Sequence, residues 1–272
     1  MYYLLTESFK EQHKKLVKII LEAVPADKIY LLGSTLMTRR TETIFMMDAP
    51  SCRYVGHYYA LVLVKDKTNC RAVQDKIENS CKNFISTTSI VLYANQFKEW
   101  LSEGKRFATT VNRLAVELTV SGEEIIPLKT PVPELQNENT QSIFDEGMNM
   151  VTEFLAGAEL YLAREQNKMC AFMLHQAAEH ALHTILKIKA GLYLNTHNID
   201  KLLRYCSMVS YKLPTLFSDN KEKNEQLIQL LNSAYVGSRY KEDYKVSTIW
   251  LEEIKEKINE LLNYLKVVYN EA

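Results

Sequence analysis

Residues 170–206 read CAFMLHQAAEHALHTILKIKAGLYLNTHNIDKLLRYC, and this stretch decides the fold of the second half of the chain. Ala171, Leu174, Ala178, Ala181, Ile185 and Ile188 recur at helical spacing, which predicts a helix over 169–190 with one apolar stripe. Gly191 stands where that helix should end, because glycine enters the left-handed region without a side-chain penalty. Thr196 is expected to cap a further helix that turns Ile199, Leu202, Leu203 and Cys206 inward. Gln176, Glu179, His180, His183 and Lys187 line the opposite face of the first helix, and a solvated face is the simplest expectation for them.

Working outward, the same periodicity predicts helices over 148–164, 222–235 and 247–269. Five amphipathic helices with short connections make an all-α up-down bundle over 145–272. Upstream of it, residues 127–144 contain Pro127, Pro131 and Pro133 followed by a polar run, the composition of a linker. Residues 1–126 read differently. A helix over 7–24 is followed by an apolar segment at 28–34, an irregular stretch over 35–56, a continuous apolar strand at 58–64, a helix over 69–83, a β-branched strand over 84–94 and a short helix at 96–102. That alternation predicts a small α/β domain with a mixed sheet.

Composition excludes several classes of function. Formal net charge is zero, and the parts before and after residue 135 carry about +3 and −3, so the basic surplus of a non-specific nucleic-acid binder is absent. The five cysteines form no Cys-x-x-Cys pair, which speaks against a disulfide framework or a zinc knuckle and fits a reducing, cytoplasmic setting. No apolar run reaches the length of a membrane span, and no membrane partner is expected. The eight glycines never come close enough together to build a Walker or dinucleotide loop.

The order of strand, Gly33-Ser34 and second apolar strand resembles the minimal nucleotidyltransferase domain. In that family the Gly-Ser turn holds nucleotide phosphates while carboxylates on later strands bind two metals. Here the strands at 58–64 and 86–94 hold no Asp or Glu, and Glu42, Asp48 and Asp66 stand outside them. The resemblance therefore implies a domain that kept the fold and lost its metal carboxylates, with no metal site.

The second half resembles the HEPN domain (higher eukaryotes and prokaryotes nucleotide-binding). Gln176, Ala177, Glu179, Ala181 and Leu182 match its first motif, with His183 where a Lys is usual. His197 stands before the next helix, and Arg239-Tyr240 precedes the last one. Many HEPN proteins are metal-independent ribonucleases with an Arg four to six residues before a His, and no such pair occurs in this half.

The resemblances imply non-catalytic binding of a nucleotide or RNA, with a purine nucleotide as the expected ligand. The expected contacts are Gly33, Ser34, Arg239 and Tyr240 in a pocket between the domains, with His175, Glu179, His197 and Tyr235 in support and no catalytic residue. Arg239 is expected to follow a helix break at Gly237 and to sit among tyrosines, where a guanidinium suits base stacking and phosphate pairing; a surface ion pair with Glu242 or Asp243 is the plainer alternative. His175 and His197 could equally be hydrogen-bonded scaffold. Two further alternatives stay open: a ribonuclease using His175 or His197 with Arg239, and a homodimerising interaction module.

Overall fold

The computed structural model describes residues 7–40, 52–65, 68–118, 124–125, 139–216 and 221–271. The chain divides into two compact units, Met1–Gln136 and Asn137–Ala272.

The first unit is a mixed α/β layer structure. Its elements run α1 (Glu7–Ala23), β1 (Ala26–Arg39), β2 (Cys52–Val64), α2 (Cys70–Cys81), β3 (Ser86–Tyr93), α3 (Ala94–Ser102), α4 (Arg106–Leu114), β4 (Val116–Leu118) and β5 (Glu124–Ile125). The sheet order is β3-β2-β1-β4-β5, with β2 and β3 parallel and the other pairs antiparallel. Leu16 and Ile20 of α1 and Ile77 and Cys81 of α2 close one core with Ile29, Leu31, Tyr58 and Val62 of the sheet. Tyr30, whose side chain alternates to the other face, lies with its ring 5.9 Å from that of Phe97 of α3 and tilted by 32°.

Two expectations for this unit are corrected. Gly33 and Ser34 do not form a turn: β1 runs through them, pairing Gly33 with Tyr59 and Ser34 with Tyr58. An extended backbone already paired to its neighbour presents no fan of amides to a phosphate. Nor are residues 35–56 one irregular loop, because 35–39 and 52–56 prolong the β1–β2 ladder out to Arg39 and Cys52. Glu42, Asp48 and Asp66 lie outside the described residues, as does most of the expected linker.

The second unit is the helical bundle: α5 (Thr140–Ala163), α6 (Asn167–Ala190), α7 (Ile199–Cys206), the short α8 (Leu213–Leu216), α9 (Lys221–Tyr240) and α10 (Thr248–Asn270). Central to it is α6, which packs against α5, α7, α9 and α10. Leu174, Ala177, Ala178, Ala181, Leu182, Ile185 and Ile188 are fully buried, and the small alanines let the neighbouring helices approach. Gly191 ends α6 at φ 63°, its N–H returning 2.9 Å to the Lys187 carbonyl.

Boundaries shift in three places. The helix expected from 148 starts at Thr140, capped by Asn139 Oδ1 accepting from the Ser142 N–H at 3.2 Å. The cap of α7 is Asn198 rather than Thr196; Asn198 Oδ1 accepts from the Lys201 N–H at 2.9 Å, while Thr196 Oγ1 accepts from the Asn198 N–H. No break occurs at Gly237, for α9 continues to Tyr240 and the missing side chain instead admits the Tyr244 ring, whose Cδ2 would lie 2.5 Å from an added Cβ. Among the described residues, no helix is long and apolar enough to cross a membrane.

Candidate functional site on helices six and nine

Glu179 is the centre of a polar cluster inside the bundle. It is only 8% exposed, and three side chains donate to or share protons with its carboxylate. His175, one turn earlier on α6, brings Nε2 to 3.1 Å from Oε2. Gln176 Nε2 donates to the same oxygen at 3.2 Å. His197, from the loop before α7, brings Nδ1 to 3.0 Å from Oε1.

The proton positions follow from the acceptors. His175 Nδ1 lies 2.8 Å from the Leu231 carbonyl of α9, and a carbonyl can only accept, so Nδ1 carries a hydrogen. Its Nε2 faces a carboxylate, which means one proton is shared between His175 and Glu179. Burial alone would push the Glu179 carboxyl up, but hydrogen bonds from His175 and His197 and their charges outweigh it and hold the group below the ordinary glutamate range. The carboxylate can only accept, so the Nδ1 contact places a hydrogen on that nitrogen of His197. Its Nε2 has no hydrogen-bond partner among the described residues, on a side chain that is 48% exposed.

Tyr235 joins this cluster to Arg239. The His197 ring stacks on Tyr235 at 4.4 Å and 17°, and the buried His175 ring lies 5.0 Å from it. Arg239 Cζ is 4.1 Å from the same Tyr235 ring, 5.3 Å from Phe172 and 5.1 Å from Tyr240. Leu231, Tyr235 and Arg239 are successive turns of α9, so the continuation of the helix past Gly237 is what aligns the guanidinium with the imidazoles. Arg239 Nε donates to the Tyr235 carbonyl at 2.8 Å. No carboxylate among the described residues pairs with Arg239, so the ion pair with Glu242 or Asp243 is not formed, and the side chain is exposed.

The structure thus brings together His175, Glu179, His197, Tyr235, Arg239 and Tyr240. Gly33 and Ser34 belong to the other unit. The solvated face expected on α6 is half covered: Glu179 and His183 are buried, beneath the 191–198 loop in the case of His183, whose Nε2 donates to the Thr196 carbonyl at 3.2 Å. Burial lowers the His183 pKa below the ordinary histidine value. Phe172 and Asn232 are members that residue types alone did not single out. Phe172 lies one turn before His175 on the same face, a spacing that marks it, whereas Asn232, whose Oδ1 accepts from the Ile199 N–H at 2.7 Å, carries no such signal.

Residues 148–271 match the model of the HEPN domain. No curated protein matches the chain. The match runs from within α5 to the end of α10, so the matched region contains every member of the cluster around Glu179 and Arg239. Among the described residues, no group of three or more His, Cys, Asp or Glu is placed to hold a metal ion.

Proposed function

We propose that the α6–α9 face of the HEPN domain binds a nucleotide or RNA without cleaving it. Arg239 takes a phosphate, and the exposed Tyr240 offers a stacking surface to a base. The carrying observation is the state of Arg239: an exposed guanidinium immobilised against three aromatic rings with its Nε already satisfied. Holding it there lowers the entropy that a free surface arginine would lose on gripping an anion. Calorimetry with ATP and GTP, with and without magnesium, and with a single-stranded oligonucleotide is the test. Wild type is expected to bind and Arg239→Ala to bind about tenfold or more weakly, the loss of a charge-assisted phosphate contact. Absence of heat with every ligand would refute the proposal. Self-association through the helices belongs to the same proposal on the strength of the HEPN resemblance, and light scattering measures it.

A second reading is favoured by one specific bond, from His197 Nδ1 to Glu179. A carboxylate that fixes one imidazole nitrogen and leaves the other free, on a ring stacked against the tyrosine that also carries a guanidinium, is an arrangement suited to proton transfer at a phosphodiester. Incubation with total RNA distinguishes the two: cleavage that disappears in His197→Ala and Arg239→Ala would establish a ribonuclease, and intact RNA leaves binding alone.

A further inference from the structure

We infer that the Arg239 face continues along α6 to a second stacking position on Tyr193, so that its ligand is a single-stranded nucleic acid with at least two unstacked bases rather than one free nucleotide. This inference rests on the nucleotide-or-RNA reading above and specifies its ligand.

Tyr193 is 56% exposed although it lies in a loop otherwise fixed to the bundle. Its ring stands 4.9 Å from His183 and carries Lys187 Nζ at 5.1 Å from its centroid. An aromatic ring backed by an imidazole, with a cation over it and more than half of the residue exposed, is a stacking platform of the kind that single-stranded binders use. His183 supplies a second feature. It is 7% exposed, its Nε2 hydrogen goes to the Thr196 carbonyl, and its Nδ1 has no hydrogen-bond partner among the described residues.

The two positions are mechanically joined. Thr196 and His197 are consecutive; the carbonyl of the first is held by His183 and the ring of the second by Glu179. Glu179, His183 and Lys187 are successive turns of α6, spaced by about 6 Å. Tyr193 therefore lies roughly 6–12 Å along the helix from His197. Arg239 stands at one end of this track, Lys187 at the other, and Tyr235, His197 and Tyr193 between them. A mononucleotide can occupy one end only. With a net charge of zero, the chain gains little from diffuse attraction, and two local cations predict a shallow salt slope, about −1.4 in log K against log salt.

Fluorescence anisotropy on the full chain tests this, using labelled oligouridines from dinucleotide to octanucleotide, the matching oligothymidylates, and UMP as competitor. Affinity is expected to rise about tenfold from UMP to the tetranucleotide. Tyr193→Ala should weaken the tetranucleotide about tenfold and leave UMP unchanged, Tyr193→Phe should restore it, and Lys187→Met should reduce the salt slope by about 0.7. Equal binding of RNA and DNA assigns the track to stacking and phosphate alone, and a preference for RNA adds a sugar contact; both support it. Arg239-dependent binding that ignores length and Tyr193 overturns this inference while leaving the nucleotide reading intact. Binding of no ligand at all overturns both.

Discussion

Glu179→Ala is expected to destabilise the helical bundle by about 2–3 kcal/mol, whereas Glu179→Gln is expected to cost little at neutral pH. Breaking a buried ion pair by deleting one partner typically costs about 3–5 kcal/mol. Without the carboxylate, the buried His175 Nε2 is left unsatisfied, at a cost of about 1–3 kcal/mol plus the lost packing. His197 is half exposed and recovers its bond from water. In Glu179→Gln every bond can be remade with both histidines neutral: the amide oxygen accepts from His197 Nδ1 and the amide nitrogen donates to His175 Nε2, with Gln176 turning its own amide to match.

The pH dependence separates the two roles of this side chain. The folded-state pKa of Glu179 is lowered, so its ionised form stabilises the fold fully above the ordinary glutamate value, about 4.3, and that stability is lost as pH falls through the lowered folded value. Thermal unfolding of the full chain as a function of pH should show wild type losing stability on this acid limb, a shallower limb in Glu179→Gln, and a melting temperature roughly 8 °C lower in Glu179→Ala at neutral pH. An alanine variant as stable as wild type would mean that the His175 proton is not shared with Glu179.

Helices were legible wherever the apolar stripe was complete. The stripe of Leu251, Ile254, Ile258, Leu261, Leu265 and Val268 gave α10 to within a residue, because every one of those side chains is buried. The first turn of α5 was hidden since Gln141 and Ser142 fall in the polar run that reads as linker, yet they bond at helical spacing to the residues that follow, Gln141 to Asp145 and Ser142 to Glu146. Gly237 looked like a helix break for want of any signal that Tyr244 would occupy its vacant side. The β1–β2 extension failed for a related reason: Thr35, Thr38 and Arg53 suggest a loop, and strand pairing is decided by a partner distant in sequence.

For the site, residue types were more informative than position. Arg239 among tyrosines and His197 before a helix were visible as candidates, and both belong to the cluster. Their meeting point was not, because the bond from Glu179 to His197 spans 18 residues and the contact of His175 with Leu231 spans 56 and uses a backbone carbonyl. Burial of Glu179 and His183 depends on the 191–198 loop folding back over α6, which no periodicity records. Gly33-Ser34 misled in the opposite direction: a dipeptide that often turns is here extended within a ladder, since Tyr58 and Tyr59 pair with it directly.

Gly147→Val is expected to destabilise the bundle by about 3 kcal/mol, as large an effect as any in the polar cluster. Gly147 lies on the buried side of α5, and a Cβ built there would collide with Thr184 Oγ1 and Cγ2 and stand 2.8 Å from Thr184 Cβ. Thr184 cannot turn away, because both branches meet the new atom and its hydroxyl donates to the His180 carbonyl at 2.8 Å. The strain must fall on the α5–α6 separation, and overpacking of this sort costs about 1–3 kcal/mol even for a single added group. Against it, Gly→Ala in a helix interior gains about 1 kcal/mol of intrinsic propensity, so Gly147→Ala should be milder than Gly147→Val. A double-mutant cycle identifies the cause. Thr184→Ala removes the two nearest atoms and leaves only the Cβ contact, so it should recover about 1 kcal/mol or more of the Gly147→Ala loss. Gly157→Ala serves as the contrast, for its nearest neighbour is the flexible Met173 Sδ at 3.3 Å, which can move aside, and its melting temperature should equal or exceed that of wild type. Strict additivity of Gly147→Ala and Thr184→Ala would show that α5 is held away from α6 by some other contact.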